Sequence, residues 1–265
     1  MKNMSNQRNL LNKAIKCVSQ EQQCLQRERE AFQKFREAIS RMQATRSGNR
    51  DNGIDDTTEE LREVYRETVM SIPSHETAYD ESISESLKQE FTPTLANALL
   101  KNKAVTQQRK RNLLVATTAA INRRNEFKSV LEQEHKSLAE IRDALIKIEE
   151  SVRELPVCSI QQLPFESYVN CWEGYEKQIG LCDYLVKKRQ RHFVELQDQF
   201  AKPINETHAV NEYLYTKLAT PYPALRSITE MRQRIERDRE PLVKSNCAGG
   251  HGERLTEETV GCSLD

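Results

Sequence analysis

Residues 106–155 read TQQRKRNLLVATTAAINRRNEFKSVLEQEHKSLAEIRDALIKIEESVREL. Within them Leu113, Ala120, Phe127, Ile141, Ile148 and Leu155 share one seven-residue row, broken only by Glu134. Thr117, Leu131, Leu138, Leu145 and Val152 form a second row four residues on, broken by Arg124. Two apolar rows spaced by three and four residues run along one side of an α-helix and make the seam of a coiled coil. A β-strand would show alternation with period two, which is absent. The stretch predicts one continuous helix, ~75 Å long at 1.5 Å per residue, and sets the expected fold class as all-α.

The same reading extends outward. On the N-terminal side, residues 5–45 carry Leu11, Val18, Leu25, Phe32 and Ile39 in an unbroken seven-residue row, with Ala14, Phe35 and Met42 beside it. Glu21 and Glu28 interrupt the companion row in its middle. Gly48, Asn49, Asn52, Gly53, Asp55 and Asp56 then mark a polar loop. Thr57 with Glu60 has the spacing of a capping box and opens a short helix that Pro73 ends. A second short helix is expected over 79–91. Thr92–Pro93 starts a third, with Thr as cap and Pro in the first turn.

On the C-terminal side Pro156 stops the long helix, and another begins at Leu163–Pro164. Phe165, Trp172, Ile179, Val186, Phe193 and Phe200 form its seven-residue row, accompanied by Tyr168, Tyr175, Cys182 and Leu196. The short connection places it antiparallel to its predecessor. After Pro203 come a shorter amphipathic piece and a final helix with Leu225, Ile228, Met231 and Ile235, ended by Pro241. The expected organisation is an N-terminal long helix (1–46), a polar loop (47–58), a short-helix cap (59–104), an antiparallel long-helix hairpin (105–202), C-terminal short helices (203–241) and a disordered tail (242–265). Together these predict an elongated antiparallel helical bundle, or coiled-coil hairpin, with a cap of short helices.

Composition agrees. Hydrophobic residues are 37% and charged residues 30% of 265, with 40 cations balanced by 40 anions, as in solvated helices with narrow apolar stripes. Charge is uneven: residues 1–46 hold ten basic and four acidic side chains, residues 47–105 six basic and twelve acidic. No run approaches the ~20 apolar residues of a membrane span. The polar opening thirty residues carry no apolar signal core, so a cytoplasmic location is expected. The seven cysteines, an odd number without a pairing scheme, are expected to be reduced thiols.

Catalytic patterns are absent: there is no G-x-S-x-G, no phosphate-binding loop and no G-x-G-x-x-G. Cys247, His251 and Cys262 supply three soft ligands where a closed zinc site needs four. Glu132 with His135, and His192 with Glu195, have the i, i+3 spacing of helical di-metal ligands, but Leu131 and Leu138 flank the first pair and Phe193 follows His192, so both read as rim positions beside an apolar seam. No catalytic residue, metal or cofactor is therefore assigned. Arg109–Lys110–Arg111, Arg123–Arg124 and Lys187–Lys188–Arg189 with Arg191 are basic clusters that phosphates would attract, though acidic residues interleave and the isoelectric point is about 7.0. The densest polar group is Arg66 and Glu67 with His75 and Tyr79 nearby. Tyr65, Arg66, His75 and Tyr79 are the expected interaction surface.

Three stretches resemble a known family. EQQCLQREREAFQKFREAI at 21–39 carries Glu28, Arg29, Ala31, Phe32 and Phe35 in an ER-x-AF-x-x-F pattern. Tyr65–Met70 reads YRETVM and is followed by Pro73; EYLYTKLATPYPALRSI at 212–228 supplies Tyr213–Tyr215 before Tyr222–Pro223. Over residues 10–240 the chain resembles a haloarchaeal family of uncharacterised long-helix proteins. The resemblance implies the same helical plan and no activity, cofactor or catalytic residue. The function expected is non-enzymatic: a helical interaction or scaffold module meeting a protein partner or itself through coiled-coil packing. Nucleic-acid association through the basic clusters is the alternative.

Overall fold

A computed structural model describes residues 2–43, 56–72, 82–101, 103–155, 164–199 and 205–248. Among them are eight helices and no strand: α1 (Lys2–Arg41), α2 (Asp56–Thr68), α3 (Ile83–Glu90), α4 (Pro93–Leu100), α5 (Gln107–Glu154), α6 (Phe165–Gln199), α7 (Asn205–Tyr215) and α8 (Pro223–Ala248). The fold is all-α. No helix among the described residues is long and apolar enough to cross a membrane. The chain forms two compact units, Asn12–Leu138 and Met1–Leu11 with Ala139–Asp265.

In the unit Asn12–Leu138, α1 and α5 lie antiparallel. As α1 runs from Gln26 to Met42, its partners on α5 step back from Lys128 to Lys110. Both rows read from the sequence are buried or half-buried along this length, because each is one side of its helix and the other helix covers it. Phe32 and Phe35 from α1, Leu61 and Tyr65 from α2, Leu87 and Phe91 at α3, and Leu95 and Leu99 from α4 close one core with Leu113 and Ala120 of α5. Phe35 meets Tyr65 edge-on with ring centroids 5.1 Å apart, and Phe91 lies 6.0 Å from Tyr65. Contacts of this geometry add about 1 kcal/mol each beyond area burial.

The short helices differ from expectation at their ends. Helix α3 begins at Ile83 rather than 79, because Ser82 and Glu85 make a capping box there. Thr57 lies inside α2, one residue past its start, so it is not the cap. Thr92 does occupy the N-cap of α4 with Pro93 at its first position.

In the other unit α6 is antiparallel to α5 and α8, and it also touches α7. As α5 advances from Glu140 to Leu155, its contacts on α6 retreat from Lys188 to Gly174. As α8 advances from Arg232 to Leu242, its partners on α6 retreat from Asp183 to Tyr168. Of the two rows expected to form the seam of α6, the companion row is the more deeply buried, although Ile179 of the first row is buried as well. Phe165 is 80% exposed, whereas Tyr175, Cys182 and Leu196 of the companion row are buried, with Arg189 between the last two. More than one neighbour covers α6, and the buried sector is rotated toward the companion row. Trp172 and Phe193 are half-buried and covered all the same: the Arg239 guanidinium lies over Trp172 at 4.9 Å, and Phe193 packs between Arg189 and Tyr222.

Helix α8 does not stop at Pro241 but continues to Ala248. A proline inside a helix removes one hydrogen bond and crowds the preceding turn. Here Leu242 is buried and its carbonyl accepts from Tyr168 Oη at 3.2 Å, which holds the turn in place. Residues 249–265 lie outside the described residues.

Candidate interaction surface

Of the four residues expected to form a surface, Tyr65 and Arg66 are described, and they do not share one. Tyr65 is fully buried in the aromatic core, its hydroxyl 2.9 Å from Ser86 Oγ. An ER-x-AF-x-x-F helix and a YRETVM helix dock through Phe32, Phe35 and Tyr65, so this tyrosine serves the core rather than a surface. Arg66 is exposed and pairs with Glu63 at 2.8 Å on its own helix. His75 and Tyr79 lie outside the described residues.

Most of the basic clusters are engaged inside the chain. Lys110 Nζ donates to the carbonyls of Ser40 and Met42 at 2.8 and 2.5 Å, capping the C-terminal end of α1. Arg109 donates to the Ala104 carbonyl. Lys188 pairs with Glu140 at 2.7 Å, and buried Arg189 stacks on Phe193. Arg124, the break in the α5 row, meets Glu28, the break in the α1 row, at 2.8 Å. Its other nitrogens reach Glu90 at the end of α3, at 2.6 Å, and its plane covers Phe32 at 4.2 Å. Arg123 adds a second cation to Glu90 at 3.1 Å. Burial works against the Arg124 charge, but the bonds to Glu90 and Glu28 outweigh it and hold its pKa above the ordinary arginine value.

Among the described residues no group of three or more His, Cys, Asp or Glu is arranged to hold a metal. Cys247, His251 and Cys262 fall outside the described side chains. Cys17, Cys24, Cys171 and Cys182 are not joined in disulfides. Burial first, and neighbouring Asp183 second, push the Cys182 thiol up to about 11. Such a thiol stays protonated and unreactive at neutral pH.

The surface that does stand out lies on α6, away from its buried rows. Leu181 and Tyr184 are 40% and 57% exposed. They border a groove of about 340 Å³ against α5, lined by Ala144, Ile148, Ser151, Gln178 and Leu185 as well. Lys147 and Lys177 stand at its edges, and no carboxylate lines it. Gln178 is buried, yet its Oε1 accepts no hydrogen bond among the described residues. Next to Leu181 in sequence, and one turn before Tyr184, Gly180 is exposed, and a Cβ built on it would meet nothing within 4 Å. Lys187 and Arg191 continue the same outward face. The sequence held a signal for this: Leu181 and Tyr184 are large apolar residues off both heptad rows.

The family model described as "Domain of unknown function (DUF7260)" matches residues 9–239. No curated protein and no solved structure matches the chain.

Proposed function

The chain belongs to the DUF7260 family, a domain of unknown function, and on that footing we propose that it is a non-enzymatic helical module that binds a protein partner through the outward face of α6. The observation that carries this reading is the pairing of exposed Leu181 and Tyr184 with an apolar groove beside them. Large apolar side chains gathered at a groove mark a docking surface more often than isolated ones do. Coiled-coil packing then acts within the chain, where it holds the long helices that display this face. A cytoplasmic setting in a haloarchaeal host, suggested by the residue patterns above, belongs to the same proposal.

Nucleic-acid association draws less support. Arg109, Lys110, Arg123, Arg124, Lys188 and Arg189 each have partners in this chain, and phosphate binding would have to displace them. The test is affinity capture from host lysate with the full chain and with Leu181→Glu/Tyr184→Glu. A defined protein recovered in near-equal amount with the native chain and lost with the variant supports the reading. A labelled oligonucleotide that binds at low salt and is released steeply as salt rises, with no protein captured, overturns it.

A further inference from the structure

We infer that the outward face of α6 and its groove against α5 receive an acidic amphipathic helix of another protein. This rests on the interaction reading above and names the chemistry of the partner.

Length comes first. Lys177, Leu181, Tyr184, Lys187 and Arg191 recur at three- and four-residue steps on one side of α6, a track of ~20 Å at 1.5 Å per residue. A partner helix of about four turns, with apolar side chains at i, i+3/i+4 and i+7, matches that track. Its apolar side would cover Leu181 and Tyr184 and fill the groove of about 340 Å³.

Gly180 is the second observation. A glycine in a helix interior costs about 1 kcal/mol against alanine, and it recurs where another backbone approaches closely. At Gly174 the space is taken by a side chain, since a Cβ there would lie 2.5 Å from Leu155 Cδ2. Gly180 has no such neighbour among the described residues. The space above it is open for a second helix to cross.

Charge identifies the partner's flanks. Lys147, Lys177, Lys187 and Arg191 are exposed, and none is within ion-pair distance of a carboxylate among the described residues. Asp183, the acidic residue in the 177–191 stretch, is turned to Arg232 at 3.0 Å. Exposed Glu173 and Glu195 lie one turn beyond the two ends of the track, while the track itself and the facing edge of the groove carry unpaired Lys177, Lys187, Arg191 and Lys147, which favour glutamates and aspartates on the partner that steer encounter and set orientation. Gln178 Oε1 adds a buried acceptor for a hydroxyl or amide donor of the occupant. A nucleic-acid backbone would satisfy the cations and leave the apolar groove unused. A lipid surface would take Leu181 and Tyr184 but has no projection to fill the groove.

The experiment screens the full chain against a displayed library of amphipathic helices. Apolar residues are fixed at i, i+3, i+4 and i+7, and the flanking positions are randomised between Glu and Lys. Enrichment of Glu over Lys by about tenfold is expected. The selected helices should bind Lys177→Glu/Lys187→Glu about tenfold more weakly and recover on a matched Glu→Lys exchange. Gly180→Leu separates docking from structure: its melting temperature should stay level or rise while binding falls about tenfold. The inference is overturned if no helix is enriched, if Lys flanks win, or if selected helices bind the α6 variants unchanged. Displacement by a twenty-nucleotide RNA or anionic vesicles but not by acidic helices also overturns it. Should the library fail while the lysate yields a protein that is lost with Leu181→Glu/Tyr184→Glu, this inference falls and the broader interaction reading stands.

Discussion

Arg124 shows how one charged residue stabilises a helix contact that two apolar rows leave incomplete. Its guanidinium bridges α1, α3 and α5 through Glu28, Glu90 and the Phe32 ring. Its side chain is 13% exposed, so removing it leaves two half-buried carboxylates facing each other. Arg124→Ala is expected to lower stability by about 2–3 kcal/mol in urea unfolding, less than a fully buried ion would cost because the carboxylates keep partial solvent access. Glu28→Gln should cost less, since Glu90 still pairs. Tyr65→Phe removes only the hydroxyl facing Ser86 and should cost about 1 kcal/mol. Cys182 gives a pH dependence. Its folded value of about 11 stands above the ordinary 9.0, so the unfolded chain loses the proton first. The stabilisation this represents is whole below pH 9.0 and is lost as pH rises through about 11. The urea midpoint should fall across that window, and by less in Cys182→Ala. Iodoacetamide at pH 8 should leave Cys182 unmodified until the chain is unfolded.

At the scale of the element, helix ends follow local chemistry and helix continuations follow packing. Helix α3 begins where Ser82 and Glu85 satisfy each other's backbone, so Ser82→Ala should cost about 1 kcal/mol and fray its first turn in amide exchange. Helix α8 continues through Pro241 because Leu242 and Tyr168 anchor the turn beyond it. Pro241→Ala restores a backbone donor and should raise the melting temperature, with a gain of about 1–3 kcal/mol. A fall would mean that the proline's bend is needed to bring Leu242 into the core.

For the whole molecule, equal numbers of cations and anions put the isoelectric point near 7.0. Solubility in polyethylene glycol should therefore be lowest near neutral pH and rise toward pH 5 and pH 9. What the sequence determined by itself was the helical class, the extent of the long helices and the buried rows of α1 and α5. Those depend on a 3.6-residue period and on breakers, which are local. It also marked Glu28 and Arg124 as interruptions, but only the tertiary structure brought them within 2.8 Å across 96 residues. Tertiary structure likewise decided that Tyr65 is core, that the companion row of α6 is the more deeply buried of its two rows, and that Leu181 and Tyr184 remain exposed. A helix has one pattern of side chains, but which sectors are covered depends on how many neighbours it meets and where, and no local period encodes that.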